Sequence, residues 1–65
     1  MKYKVGDTFV DFGNRYLAEI VSIDVLSYKM RYIHTISKNI ILDYATDEIL
    51  DKYYKKISSR NYKIL

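Results

Sequence analysis

Acid–base or nucleophilic chemistry in this chain would have to begin at His34, its single histidine, because there is no cysteine to supply a thiolate. A histidine acts as a base only when a second group orients it and a pocket holds the substrate. His34 instead continues the alternating run Tyr28, Met30, Tyr32, which reads as one face of a strand. Its expected place is a partly buried strand end. The carboxylates offer no better start. Asp7 and Asp11 flank a short strand that holds them about 13 Å apart, too far to share a proton or an ion. Asp47, Glu48 and Asp51 stand where a helix N-terminus favours acid. The two glycines, Gly6 and Gly13, fall in different turns and form no phosphate-cradling loop. One histidine without thiols argues against a zinc set. The chain is therefore expected to be a non-enzyme, with no cofactor and no metal.

Binding is the chemistry that remains. Of the 65 residues, 49% are hydrophobic and eight are tyrosine, more than so small a core can hide. Tyrosine suits interfaces because it joins apolar area to a hydroxyl. The turn Asp24-Val25-Leu26-Ser27 would put two aliphatic residues at its tip, and Ile36 stands beside the next turn. Val25, Leu26, Lys29, Arg31, Ile36, Tyr54 and Tyr62 are the expected contacts for a protein partner, a second copy of the chain included. The rival is nucleic acid. Residues 1–50 carry six basic and seven acidic side chains, and residues 51–65 five and one, so the net charge of +3 belongs to the C-terminal segment. Arg15, Lys29, Arg31, Lys52, Lys55, Lys56, Arg60 and Lys63 would follow a phosphate backbone while tyrosines stack on bases. A total of +3 is modest for that task.

The elements that must position these residues are legible from period and punctuation. Strands are expected over residues 8–12, 15–24, 27–36 and 40–44, with Gly13-Asn14 forming a tight hairpin in which glycine takes positive φ. Short turns between them imply an antiparallel meander. The period then changes to that of a helix over residues 47–57, with Thr46 as N-cap and Lys55 and Lys56 in the last turn. Ile49, Leu50, Tyr53, Tyr54 and Ile57 form its apolar arc, Tyr53 at the centre and Tyr54 at the exposed margin. Asp51 and Lys55 are spaced for an i,i+4 ion pair. Residues 61–65 are expected to supply a fifth strand.

This order, four antiparallel strands, a helix and a closing strand, is that of an SH3-like five-stranded barrel in a single domain, 1–65. The start Tyr3-Lys4-Val5-Gly6-Asp7-Thr8-Phe9-Val10 resembles the Lys-x-Gly-Asp lead into the first strand of small SH3-like and KOW-like proteins of low-GC bacteria and their phages. That architecture hosts peptide binders, nucleic-acid binders and inhibitors alike. The chain lacks the tryptophan and acidic loop of proline-peptide-binding SH3 domains. A compact chain without a catalytic set suits a phage-type inhibitor or adaptor acting on a host or defence protein. No apolar run reaches the roughly 18 residues that span a bilayer, the N-terminus has no signal-peptide pattern, and a cytoplasmic location without membrane association is expected.

Overall fold

A computed structural model describes residues 1–58. The elements run β1 (Thr8–Asp11), β2 (Tyr16–Ile23), β3 (Tyr28–His34), β4 (Ile40–Ala45), α1 (Asp47–Tyr53) and β5 (Tyr54–Ile57). All strand pairs are antiparallel, and the sheet order is β4-β3-β2-β1-β5. The chain is thus mainly β with one helix. The expected closure is corrected. Among the described residues β4 and β5 lie at opposite edges and do not pair, so the sheet they form is not closed into a barrel. Its fifth strand is only four residues long and is spent on β1.

Cross-strand partners share a face. Phe9, Ala18, Ile20, Tyr28, Met30 and Ala45 meet on the inner face, and α1 adds Leu50 to that core. Val10, Leu17 and Ile33 pair across the opposite face and are buried as well. β2 carries a bulge between Ile20 and Ser22. Val21 is the extra residue there, and the inner-face register resumes with Ile23 opposite Tyr28.

The helix ends earlier than its apolar period implies. Thr46 caps it as expected, its side chain accepting from the Ile49 amide. Tyr54, however, is already extended, with φ −130° and ψ 157°. Residues 54–57 pair with β1, Asp11 opposite Tyr54 and Thr8 opposite Ile57. All four residues of β1 are buried, and a buried strand needs partners for the backbone groups on both of its sides. That requirement overrides the helical period. Lys55 and Lys56 therefore belong to an edge strand, not to a helix C-terminus. The expected strand at 61–65 lies outside the described residues.

The Asp51–Lys55 pair is replaced too. Asp51 holds Lys2 at 2.7 Å and accepts from the Tyr3 hydroxyl. The hairpin after β1 also differs from expectation, since Asn14 rather than Gly13 takes positive φ, at 57°. Asparagine tolerates that conformation. The Asp11 side chain secures the turn by accepting from the amides of Arg15 (2.6 Å) and Tyr16 (2.9 Å).

The inner core contains one phenol hydroxyl, that of the fully buried Tyr28. It donates to Asp47 Oδ1 and accepts from the Tyr3 amide at 2.9 Å, joining β3, the start of α1 and the N-terminal segment. Tyr28→Phe keeps the ring but removes both bonds. It should lower unfolding free energy by about 1–3 kcal/mol, read as a shift of the urea midpoint at constant slope. A midpoint unchanged from wild type would show that the hydroxyl contributes nothing net.

Candidate functional site

The seven-residue helix covers only part of the inner face. Beyond it an open trough begins at the β1–β2 hairpin, lined by Asp11, Phe12, Gly13, Arg15, Tyr16, Ile49, Tyr53 and Tyr54. It continues across the middle strands to β4, where Tyr32, Ile41, Asp43 and Tyr44 join Tyr16, Ile49 and Tyr54. The two stretches share three residues and form one surface. Four of the seven described tyrosines, Tyr16, Tyr32, Tyr53 and Tyr54, line it from within, and Tyr44 borders it at the β4 edge, where its register puts it on the outer face opposite Lys29.

Each ring is placed by its element. Tyr16 and Tyr32 point inward from β2 and β3 by strand alternation. Tyr16 meets the His34 ring edge-on at 5.1 Å, and Tyr32 meets Tyr54 at 5.9 Å. Tyr53, the last helical residue, is 53% exposed, and the Lys52 ammonium lies 5.4 Å from its ring centroid. Phe12 stands exposed at the hairpin. Burial pushes the Tyr32 hydroxyl up to about 12, with Tyr54 and Asp43 adding to the effect. Tyr54 is raised by the same cause, seconded by Asp11. Burial also works to raise the Asp11 carboxyl, but the Tyr16 and Arg15 amides and the Arg15 guanidinium outweigh it and hold its pKa below the ordinary value.

The expected contact residues do not form one surface. Val25 and Leu26 are both turned out, 85% and 82% exposed, beside Met1 and the start of α1. Ile36, 85% exposed, lies at the other end of β3, separated from them by roughly 20 Å of strand. Lys29 and Arg31 are on the outer face, opposite Tyr44 and Leu42 of β4, and Arg31 is held by Glu19 at 2.6 Å. The places foreseen for Tyr53 and Tyr54 are exchanged. Tyr54 is half-buried against the core and Tyr53 is the exposed one, because the helix stops between them and the chain turns into β5.

The basic set is dispersed as well. Arg15 pairs with Asp11 at the hairpin, Lys52 lies on Tyr53, and Lys55 and Lys56 point to opposite faces of β5. Tyr62, Arg60 and Lys63 lie outside the described residues. His34 sits partly buried at the end of its strand, where its Nδ1 accepts from the amides of Ile36 and Ser37, both at 3.2 Å. That nitrogen caps a turn.

Sequence reasoning missed Phe12, Tyr16 and Tyr32 as surface residues. Phe12 follows a β1 whose other residues are all buried, and nothing in its own type distinguishes it. Tyr16 and Tyr32 look like core in any alternation pattern; what leaves them open is the shortness of the helix. Comparison with family models, curated proteins and solved structures finds nothing that matches the chain. Among the described residues no helix is long and apolar enough to cross a membrane.

The site's titrating groups give stability a pH dependence with two limbs. Asp11 contributes stability that is complete above its ordinary value near 3.8 and is lost as pH falls through the lower folded value. Tyr32 contributes stability that is complete below its ordinary value near 10 and is lost as pH rises towards about 12. Urea midpoints measured across pH should show both limbs. Asp11→Ala should shrink the acid limb, to which Asp51 also contributes, and cost about 1–3 kcal/mol at neutral pH by leaving two amides without an acceptor. Tyr32→Phe should shrink the alkaline limb and leave the acid limb unchanged, the remainder belonging to Tyr54 and the other raised tyrosines. Limbs of unchanged size in these variants would assign them wholly to other groups.

Proposed function

We propose that the chain is a non-enzymatic protein-binding module on an SH3-like frame, and that the aromatic trough receives a segment of its partner. The strand order β4-β3-β2-β1-β5, with the helix ahead of β5, supports the frame. One observation carries the binding role: of the described tyrosines only Tyr28 is fully buried, and four others, Tyr16, Tyr32, Tyr53 and Tyr54, converge on one open trough. Tyrosine and phenylalanine give large contact area with few rotatable bonds, which keeps the entropy cost of ordering low. Arg15 at one end and Asp43 at the other supply polar groups that fix orientation. An inhibitor or adaptor role of the phage type fits such a module, since blocking another protein requires surface and no chemistry.

Nucleic acid is the second reading, favoured by Lys52 over the exposed Tyr53 ring and by Arg15 beside Tyr16. Against it, Arg15, Arg31 and Lys2 are each held by a carboxylate, and Asp43 lines the trough.

The test is recovery of a partner at fixed stoichiometry from the native host, using the immobilised chain and its variants. Tyr53→Ala and Tyr16→Ala should each weaken binding by about 2 kcal/mol, roughly thirtyfold, while Ile36→Ala leaves it unchanged. Equal recovery by all variants would remove the trough from the interface. Retention on single-stranded nucleic acid that falls steeply with salt would replace the protein reading by the second one.

A further inference from the structure

The two edges of the sheet are built differently. β5 presents Lys55 and Lys56, the charged guard that commonly keeps an edge from pairing with another chain. β4 is guarded by one charge only, Asp43. It reads Ile40-Ile41-Leu42-Asp43-Tyr44-Ala45, contains no lysine, arginine or proline, and pairs with β3 without a bulge. Its first five residues are all exposed, Leu42 at 61%. Among the described residues no strand lies beyond it.

Its backbone polarity follows from one hydrogen bond. The His34 amide donates to the Asn39 carbonyl at 2.9 Å, in register with the β3–β4 ladder. Alternate residues of an antiparallel strand bond to the same neighbour. Asn39, Ile41 and Asp43 therefore direct their backbone groups to β3, while Ile40, Leu42 and Tyr44 direct theirs to the free edge.

We infer that β4 is a self-association strand: a second copy adds to it antiparallel, about a two-fold axis through Leu42, and the two sheets become one. This register faces Leu42 with Leu42 of the second copy and Ile40 with Tyr44 of the second copy. It uses all three outward residues and forms about six inter-chain backbone hydrogen bonds. The Ile–Tyr pairs are of the aromatic and β-branched kind that stabilise sheets. Asp43 comes opposite Ile41 of the second copy. An axis through Asp43 would oppose two carboxylates, which is destabilising. An axis through Ile41 would set Tyr44 against Lys38, a turn residue at φ 64°, and lose its bonds. The association is isologous and closed. So short a strand pair falls below the roughly 1,000 Å² of a standard stable interface, so the dimer forms with rising concentration.

Sedimentation equilibrium of the full chain from about 1 μM to about 1 mM should show the apparent mass climb from 7.8 kDa towards twice that value. Leu42→Lys should stay at monomer mass with an unchanged circular dichroism spectrum. Tyr53→Ala, which tests the trough, should dimerise like wild type, so the two readings fail separately. Because the chain has no cysteine, Leu42→Cys introduces a single thiol. Across a hydrogen-bonded pair its Cα atoms would lie about 5.5 Å apart, within disulfide reach. Mild oxidation should cross-link it to dimer well ahead of Ile36→Cys, and this decides the matter if Leu42→Lys misfolds. A wild-type mass fixed at 7.8 kDa over the whole range overturns the inference. So does association that Leu42→Lys leaves intact, or cross-linking no better at residue 42 than at residue 36.

Discussion

A phenol hydroxyl taken wholly out of water must find partners inside the protein, and the Tyr28 hydroxyl finds them in two separate parts of the chain. By donating to Asp47 it fixes where α1 begins, and by accepting from the Tyr3 amide it draws the N-terminal segment over the core. Tyr3 then packs edge-on against Phe9 at 5.0 Å, and its own hydroxyl reaches Asp51, one turn along the helix from Asp47. The Asp51 carboxyl is held below its ordinary range by Lys2, with Tyr3 adding to the effect. A helix of seven residues is too short to be stable alone. Here it is held at Asp47 and again at Asp51, with Leu50 between them in the core.

Much of this fold was legible in the sequence. The first four strands were located to within one or two residues, because runs of β-branched and aromatic residues are separated by short polar turns. Thr46 followed by Asp47 and Glu48 marked the helix start, since a cap and an acidic first turn are local chemistry. The end of the helix was not legible. Tyr54-Lys55-Lys56-Ile57 satisfies the helical period and also suits an edge strand, with Tyr and Ile at its ends. Only the need of the buried β1 for a second neighbour decides between them, and that need is a property of the assembled sheet. The bulge at Val21 and the positive φ of Asn14 are likewise set by pairing and by Asp11, not by residue type alone.

The candidate site was less legible, for the same reason. Exposure at a turn tip is a local property, so Val25, Leu26 and Ile36 could be read as exposed, but their separation along β3 could not. The trough depends on what fails to cover the inner face. Tyr3 and α1 shield the half of it around Tyr28. The half lined by Tyr16, Tyr32 and Tyr54 lies past the helix end, where β4 and β5 do not close. Eight tyrosines in 65 residues announced a surplus of aromatic surface without giving its address.

Tyrosine at the margin of an unclosed sheet has two physical reasons to be there, and they need separating. A ring that packs its body on the core and leaves its hydroxyl to water is a good boundary residue whether or not anything binds. Tyr32 and Tyr54 are of this kind: both are half-buried, and burial is the first cause of their raised pKa values. Phe12 and Tyr53 are not. Phe12 is 66% exposed and has no hydroxyl to offer water, and Tyr53 stands clear of the core at the end of the helix. The core gains little from either ring, and leaving apolar area in water is unfavourable. Their place beside the boundary tyrosines extends a seam in the fold into a continuous aromatic surface.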